Sequence, residues 1–164
     1  MMALVLAALC LADPVAQDLA SIPSPYYLDL PCPGPTVGGV QQAMGAGIAV
    51  PYQAGVFDCS NAASLIQWRL KSQGFDASIC LSKHFRGSLA HAWVSVELKG
   101  TRYYIDPVEA ALIAVGPGRR DYQYYDAWEQ SYSSLQELVL EHPLADFVWW
   151  ERLNYSAEAR GLGA

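Results

Sequence analysis

Residues His91 to Leu98 alternate without a break, and the Lys99-Gly100 pair that follows has the composition of a tight turn. Ala92, Val94, Val96 and Leu98 fall on one face, while His91, Trp93, Ser95 and Glu97 fall on the other. That period of two is the mark of a strand. Thr101 to Ile105 (Thr-Arg-Tyr-Tyr-Ile) is rich in β-formers, so the two runs predict a β-hairpin. A two-residue turn leaves the register no freedom. Leu98 faces Thr101, Trp93 faces Asp106, and His91 faces Val108. His91 and Asp106 then become diagonal neighbours on one face, roughly 7 Å apart between backbones and within side-chain reach. Glu109 would lie opposite Ala90 and point the other way, and a slip of one residue would turn Asp106 away as well.

A second segment is read as clearly. Asp58 is a plausible N-cap, and small or apolar residues follow at Cys59, Ala62, Ala63, Ile66 and Leu70. Gln67, Lys71 and Gln73 fall on the opposite side of that helix, and Gly74 supplies its stop. Cys59 therefore sits in the first turn, on the face that packs inward. The partial positive charge of a helix start favours thiolate there. The negative charge of Asp58 opposes it, but capping occupies that carboxylate with backbone amides. A thiol at a helix start, an imidazole, and a carboxylate for the imidazole's other nitrogen form the general recipe for an activated sulfur nucleophile.

The remaining chain is read more coarsely. Ser21 to Gly39 is proline- and glycine-rich coil with a short strand near Tyr26 to Leu30, and Val37 to Ile48 is a glycine-diluted helix. Ala77 to Leu81 is a short strand, and Ser82 to Leu89 a polar loop that could rim a site. Ser134-Leu135-Gln136-Glu137 is a capping-box pattern opening a helix to about His142, and Pro143 starts another helical turn. The tail after Tyr155 reads as loosely ordered.

At 164 residues with 52% hydrophobic content, the chain is one ordered domain able to bury a sizeable core. Net charge is −6 and the ten basic residues are scattered, which leaves no stripe for nucleic-acid phosphates. No stretch approaches the ~20 apolar residues of a membrane span. Residues 1–20 form a separate apolar segment, and 21–164 the domain proper. Met2 to Ala12 reads either as a signal-peptide core or as a buried N-terminal helix, so secreted and cytoplasmic locations both stand. In an oxidising compartment Cys32 and Cys80 could bridge and leave Cys59 free.

Phe57-Asp58-Cys59-Ser60-Asn61-Ala62-Ala63, His91-Ala92-Trp93-Val94-Ser95-Val96 and Tyr104-Ile105-Asp106-Pro107 together resemble the three motif blocks of the transglutaminase-like superfamily. The order Cys, His, Asp is that of its papain-like core, and the resemblance runs from about Pro51 to Val108. It implies an α+β fold with the nucleophile helix packed on an antiparallel sheet. It implies Cys59 as nucleophile, His91 as general base and acid, and Asp106 as the imidazole's anchor. Papain-like peptidases similarly place a glutamine shortly before the nucleophile, which makes Gln53 the candidate oxyanion donor beside the Cys59 N–H. Tyr52 competes for that role. The chain is much shorter than the large animal cross-linking enzymes, and no acidic cluster resembles a calcium loop. The expected activity is therefore cysteine-dependent acyl transfer, foremost hydrolysis of a peptide or protein amide, with no cofactor.

Two other readings compete. Cys80 and His84, with Cys59 and His91, could supply four zinc ligands, although the second pair lacks the close spacing of structural zinc sites. A catalytically silent peptide- or wall-binding domain would keep the fold and use an aromatic groove built from Trp93, Trp149, Trp150 and the Tyr122 to Tyr125 run.

Overall fold

Lys99 and Gly100 both adopt positive φ, 53° and 78°, as a two-residue hairpin turn requires. Around that turn the computed structural model, which describes residues 13–45, 52–108 and 115–162, is mixed α and β. Its elements in chain order are α1 (Pro14–Ser21), α2 (Val37–Met44), α3 (Cys59–Ser72), β1 (Asp76–Phe85), β2 (Leu89–Leu98) and β3 (Thr101–Ile105). They continue with α4 (Tyr122–Tyr125), β4 (Gln130–Tyr132), α5 (Leu135–Leu138), a 3₁₀ turn (Leu144–Asp146) and α6 (Tyr155–Leu162). The strands form one antiparallel sheet in the order β3-β2-β1-β4. Leu98 pairs with Thr101 and Val94 with Ile105, the register the alternation dictates.

Both faces of the sheet are covered. Ala77, Ile79, Ala92, Val94, Val96, Leu98 and Ile105 pack into the main core with α3. The other face carries a smaller cluster, in which Cys80, Phe85, Trp93 and Tyr104 meet Val115 and Tyr125. Helix α3 is buried nearly all round, with no exposure at Ala63, Leu65, Ile66, Trp68 or Leu70. Each such large apolar side chain contributes ~1.5–3 kcal/mol by leaving water. Gln67 departs from the expected solvent side. It is fully buried, and its Nε2 donates to the carbonyls of Ala77, Tyr132 and Ser133 at 3.3, 3.2 and 3.1 Å. The flank that helical spacing assigned to water is covered by the start of β1 and the segment after β4.

Other expectations shift in the same way. Tyr26 to Leu30 forms no strand; it runs irregularly along the end of α3, where Leu28 N–H donates to Ser72 Oγ and Leu30 N–H to the Ser72 carbonyl. The polar Ser82 to Leu89 stretch is mostly strand, because pairing of β1 with β2 continues to Phe85 and Leu89 across an irregularity in register. The helix opened by Ser134 stops after Leu138, and the tail after Tyr155 is the helix α6. That tail is fastened by the Arg69–Glu158 ion pair at 2.5 Å and by the Tyr155 hydroxyl on the Pro25 carbonyl at 2.7 Å.

Asp13-Pro14 caps and starts α1, whose Asp18 Oδ2 accepts the Leu144 N–H at 3.1 Å, so this stretch before residue 21 is bonded to the domain. Met2 to Ala12, and with it the signal-peptide question, lies outside the described residues. So do Ala46 to Ile48, the end of the helix expected over Val37 to Ile48. Among the described residues no helix is long and apolar enough to cross a membrane. Cys32 is exposed beside Gly74 and Cys80 is buried in the smaller cluster, both as free thiols.

Candidate functional site

The start of α3 is locked before any catalytic question arises. Asp58 Oδ1 accepts the Ser60 N–H at 3.0 Å, and Asn61 Oδ1 accepts the Asp58 N–H at 3.1 Å, a reciprocal capping box. Asn61 Nδ2 donates in turn to the Val148 carbonyl at 2.9 Å, which ties the cap to the core. Cys59 is the first helical residue, partly exposed, and its own N–H belongs to the helix start that intrahelical bonding leaves unused.

The hairpin brings the other two residues together as its register predicts. His91 Nε2 lies 3.2 Å from Asp106 Oδ2, with only 11% and 7% of the two side chains exposed. Asp106 Oδ1 accepts the Val108 N–H at 2.8 Å, and Oδ2 also accepts the Tyr125 hydroxyl at 2.7 Å. The imidazole rests against Phe85, with ring centres 4.6 Å apart, and stacks on Trp93 at 5.7 Å. With Nε2 engaged by Asp106, Nδ1 is the nitrogen left for Cys59, with which the imidazole also interacts.

The electrostatics follow from these contacts. Burial alone would depress the His91 pKa, but the hydrogen bonds and charges of Asp106 and Cys59 outweigh it and push the imidazole up to about 9. Burial likewise works to raise the Asp106 carboxyl. The His91 contact, the Val108 N–H and the Tyr125 hydroxyl prevail and hold it below the usual carboxylate range. The two shifts agree in sense and describe an ion pair at neutral pH.

Cys59 and His91 share a cleft of about 400 Å³ whose walls include Tyr52, Asp58, Glu129 and Phe147. The Gln53 backbone closes a short loop by exchanging hydrogen bonds with Phe57, but its side chain does not line the cleft. Tyr52 does line it. Slight burial, then the charges of Cys59 and Asp58, push its phenol pKa upward. The zinc constellation does not assemble. Cys80 Sγ is directed to Ser131 Oγ at 3.9 Å in the smaller cluster, and His84 Nδ1 is 2.9 Å from Glu129 Oε1. Among the described residues no group of three or more His, Cys, Asp or Glu side chains is placed to hold a metal ion.

Sequence reasoning treated Tyr125 as part of an undifferentiated aromatic run, and no local period distinguishes it from Tyr122 or Tyr124. Its role is visible only in the fold, because its partner lies 19 residues away. A sulfur, an imidazole and a carboxylate in this order can shuttle a proton from and to the sulfur and form a covalent bond to an electrophilic carbonyl. No family model, curated protein or solved structure matches the chain.

Proposed function

We propose that this protein is a cysteine-dependent acyl-transfer enzyme of transglutaminase-like, papain-like descent, acting foremost as a hydrolase of peptide or protein amides. The observation that carries the reading is the contact of His91 Nε2 with Asp106, which leaves Nδ1 as the ring nitrogen available to the cysteine at the start of α3. With His91 held as the imidazolium by Asp106, Cys59 reacts as the thiolate of a thiolate–imidazolium pair. The sulfur attacks the amide carbon, forming a C–S bond, and the carbonyl oxygen becomes an oxyanion. The Cys59 N–H and the Tyr52 hydroxyl are the donors available to it in the cleft. Collapse breaks the C–N bond, and the departing amine takes the imidazolium proton. Water then attacks the thioester, with His91 accepting its proton, and releases a carboxylic acid and the Cys59 thiol.

The test uses p-nitrophenyl acetate, a reactive ester with little need for substrate recognition. Acetyl transfer should give a burst of nitrophenol, and intact mass followed by peptide mapping should place the acetyl group on Cys59. Cys59→Ala should abolish the burst and His91→Ala should slow it at least a hundredfold. The binding-domain alternative loses its expected aromatic groove, because Trp93, Trp149 and Tyr125 are fully buried and Trp93 and Trp149 belong to separate clusters; the exposed Tyr52 on the cleft wall is what remains in its favour. A folded wild-type protein with no acetyl group on Cys59 would leave that alternative standing.

A further inference from the structure

Asp106 follows the last residue of β3, one position beyond the point where the ladder with β2 ends at Val94 and Ile105. Strand pairing therefore does not orient its carboxylate. Two bonds do so: the Val108 N–H on Oδ1 and the Tyr125 hydroxyl on Oδ2. Oδ2 carries both the Tyr125 bond, at 2.7 Å, and the His91 contact, at 3.2 Å, so its two lone pairs are used. Tyr125 is fully buried. Its ring sits 5.2 Å from Phe85 and 6.0 Å from Trp93, the same two rings that flank the imidazole. One side chain thus braces the carboxylate by a hydrogen bond and supports the imidazole's walls by packing.

We propose that Tyr125 is a positioning residue of the Cys59–His91–Asp106 site, orienting the Asp106 carboxylate so that His91 presents its free nitrogen to the sulfur. The inference rests on the triad reading of those three residues. Beyond Asp106 and Cys59, the ionisable neighbours are Tyr52, Asp58, Lys83, Glu129, Asp146 and His142, which line the cleft, and Tyr104, which stacks on Tyr125. The Tyr125 hydroxyl donates to Asp106 Oδ2.

Tyr125→Phe keeps the ring and removes the donor. Oδ2 then holds more negative charge against the imidazolium, and the carboxylate keeps only the Val108 N–H to orient it. Two effects follow: the His91 titration, read by NMR, moves to higher pH, and the p-nitrophenyl acetate burst slows about tenfold with its KM little changed. A double-mutant cycle separates this from a packing role. In an Asp106→Asn background, adding Tyr125→Phe should change the burst less than twofold. A tenfold loss in both backgrounds would overturn the proposal, since Tyr125 would then act without the carboxylate.

Should the Phe variant fold poorly, 3,5-difluorotyrosine at position 125 retains the hydroxyl as a stronger donor and should move the His91 titration to lower pH. An unmoved titration refutes the proposal. The NMR readout needs no turnover, so the two readings fail separately. A wild-type protein that shows no burst sinks the triad reading, while the His91 response to Tyr125 still decides the positioning role.

Discussion

Raising the pH should withdraw stability from this protein through a single side chain. The folded His91 pKa of about 9 stands above the ordinary imidazole value of 6.5, so the native state binds the proton more tightly than the unfolded chain. Its contribution is complete below the unfolded value and is lost as pH rises through the folded one. With each pKa unit equivalent to 1.36 kcal/mol, the shift corresponds to about 3 kcal/mol at pH 5.5, about 2 kcal/mol at pH 7.5 and almost nothing at pH 10. The Asp106 carboxyl, held below its usual range, reports the same contact from the acid side: its share is present above pH ~4 and is lost as pH falls further. Urea denaturation from pH 4.5 to 10 measures the effect, with His91→Gln as the reference, since that variant should lack most of the slope between pH 6.5 and 9. NMR titration of the imidazole gives the folded pKa independently. Cys59→Ser should lower it partway, and Asp106→Asn further. A folded His91 titrating at or below 6.5, or equal pH slopes in wild type and His91→Gln, would refute the ion-pair account.

Other substitutions test separate links. Asp106→Asn should retain partial acylation because the amide can still meet His91, whereas Asp106→Ala should lose at least a further tenfold through a freed imidazole; equality of Asp106→Ala with wild type in burst kinetics would reduce Asp106 to a turn residue. Iodoacetamide at pH 6 should alkylate Cys59 well ahead of exposed Cys32 and buried Cys80, with His91→Ala erasing the advantage, as mass mapping would read. Gln67→Leu should cost about 2–3 kcal/mol in urea denaturation, because the buried carbonyls of Ala77 and Tyr132 lose this donor. Gly39→Ala would set its methyl 2.0 Å from the Gly34 carbonyl oxygen, so a loss of about 1–3 kcal/mol is expected, and an unchanged urea midpoint would contradict that close approach.

The parts of this protein legible in sequence are those governed by neighbours along the chain. The β2–β3 register follows from a period of two and a two-residue turn, and continuing it past the ladder's end at Val94 and Ile105 puts His91 and Asp106 on one face. The Asp58 cap and the position of Cys59 in the first turn of α3 follow from helix-end chemistry, which spans only four residues. Tertiary structure decided the rest. Helical spacing assigned Gln67 to water, but chain on the far side of α3 buries it. The papain-like resemblance favoured Gln53 in the cleft, yet the loop closed between Gln53 and Phe57 leaves Tyr52 on the wall instead. Ser82 to Leu89 looks like a loop by composition, yet Ser82 to Phe85 become strand because β2 is there to pair with them. Tyr125 is indistinguishable from its neighbouring tyrosines until the smaller cluster brings its hydroxyl onto Asp106. Periodicity and capping act through bonds a few residues long, so the sequence displays them directly. Burial of a side chain and the choice of its hydrogen-bond partner depend on segments tens of residues away, and only packing brings those segments together.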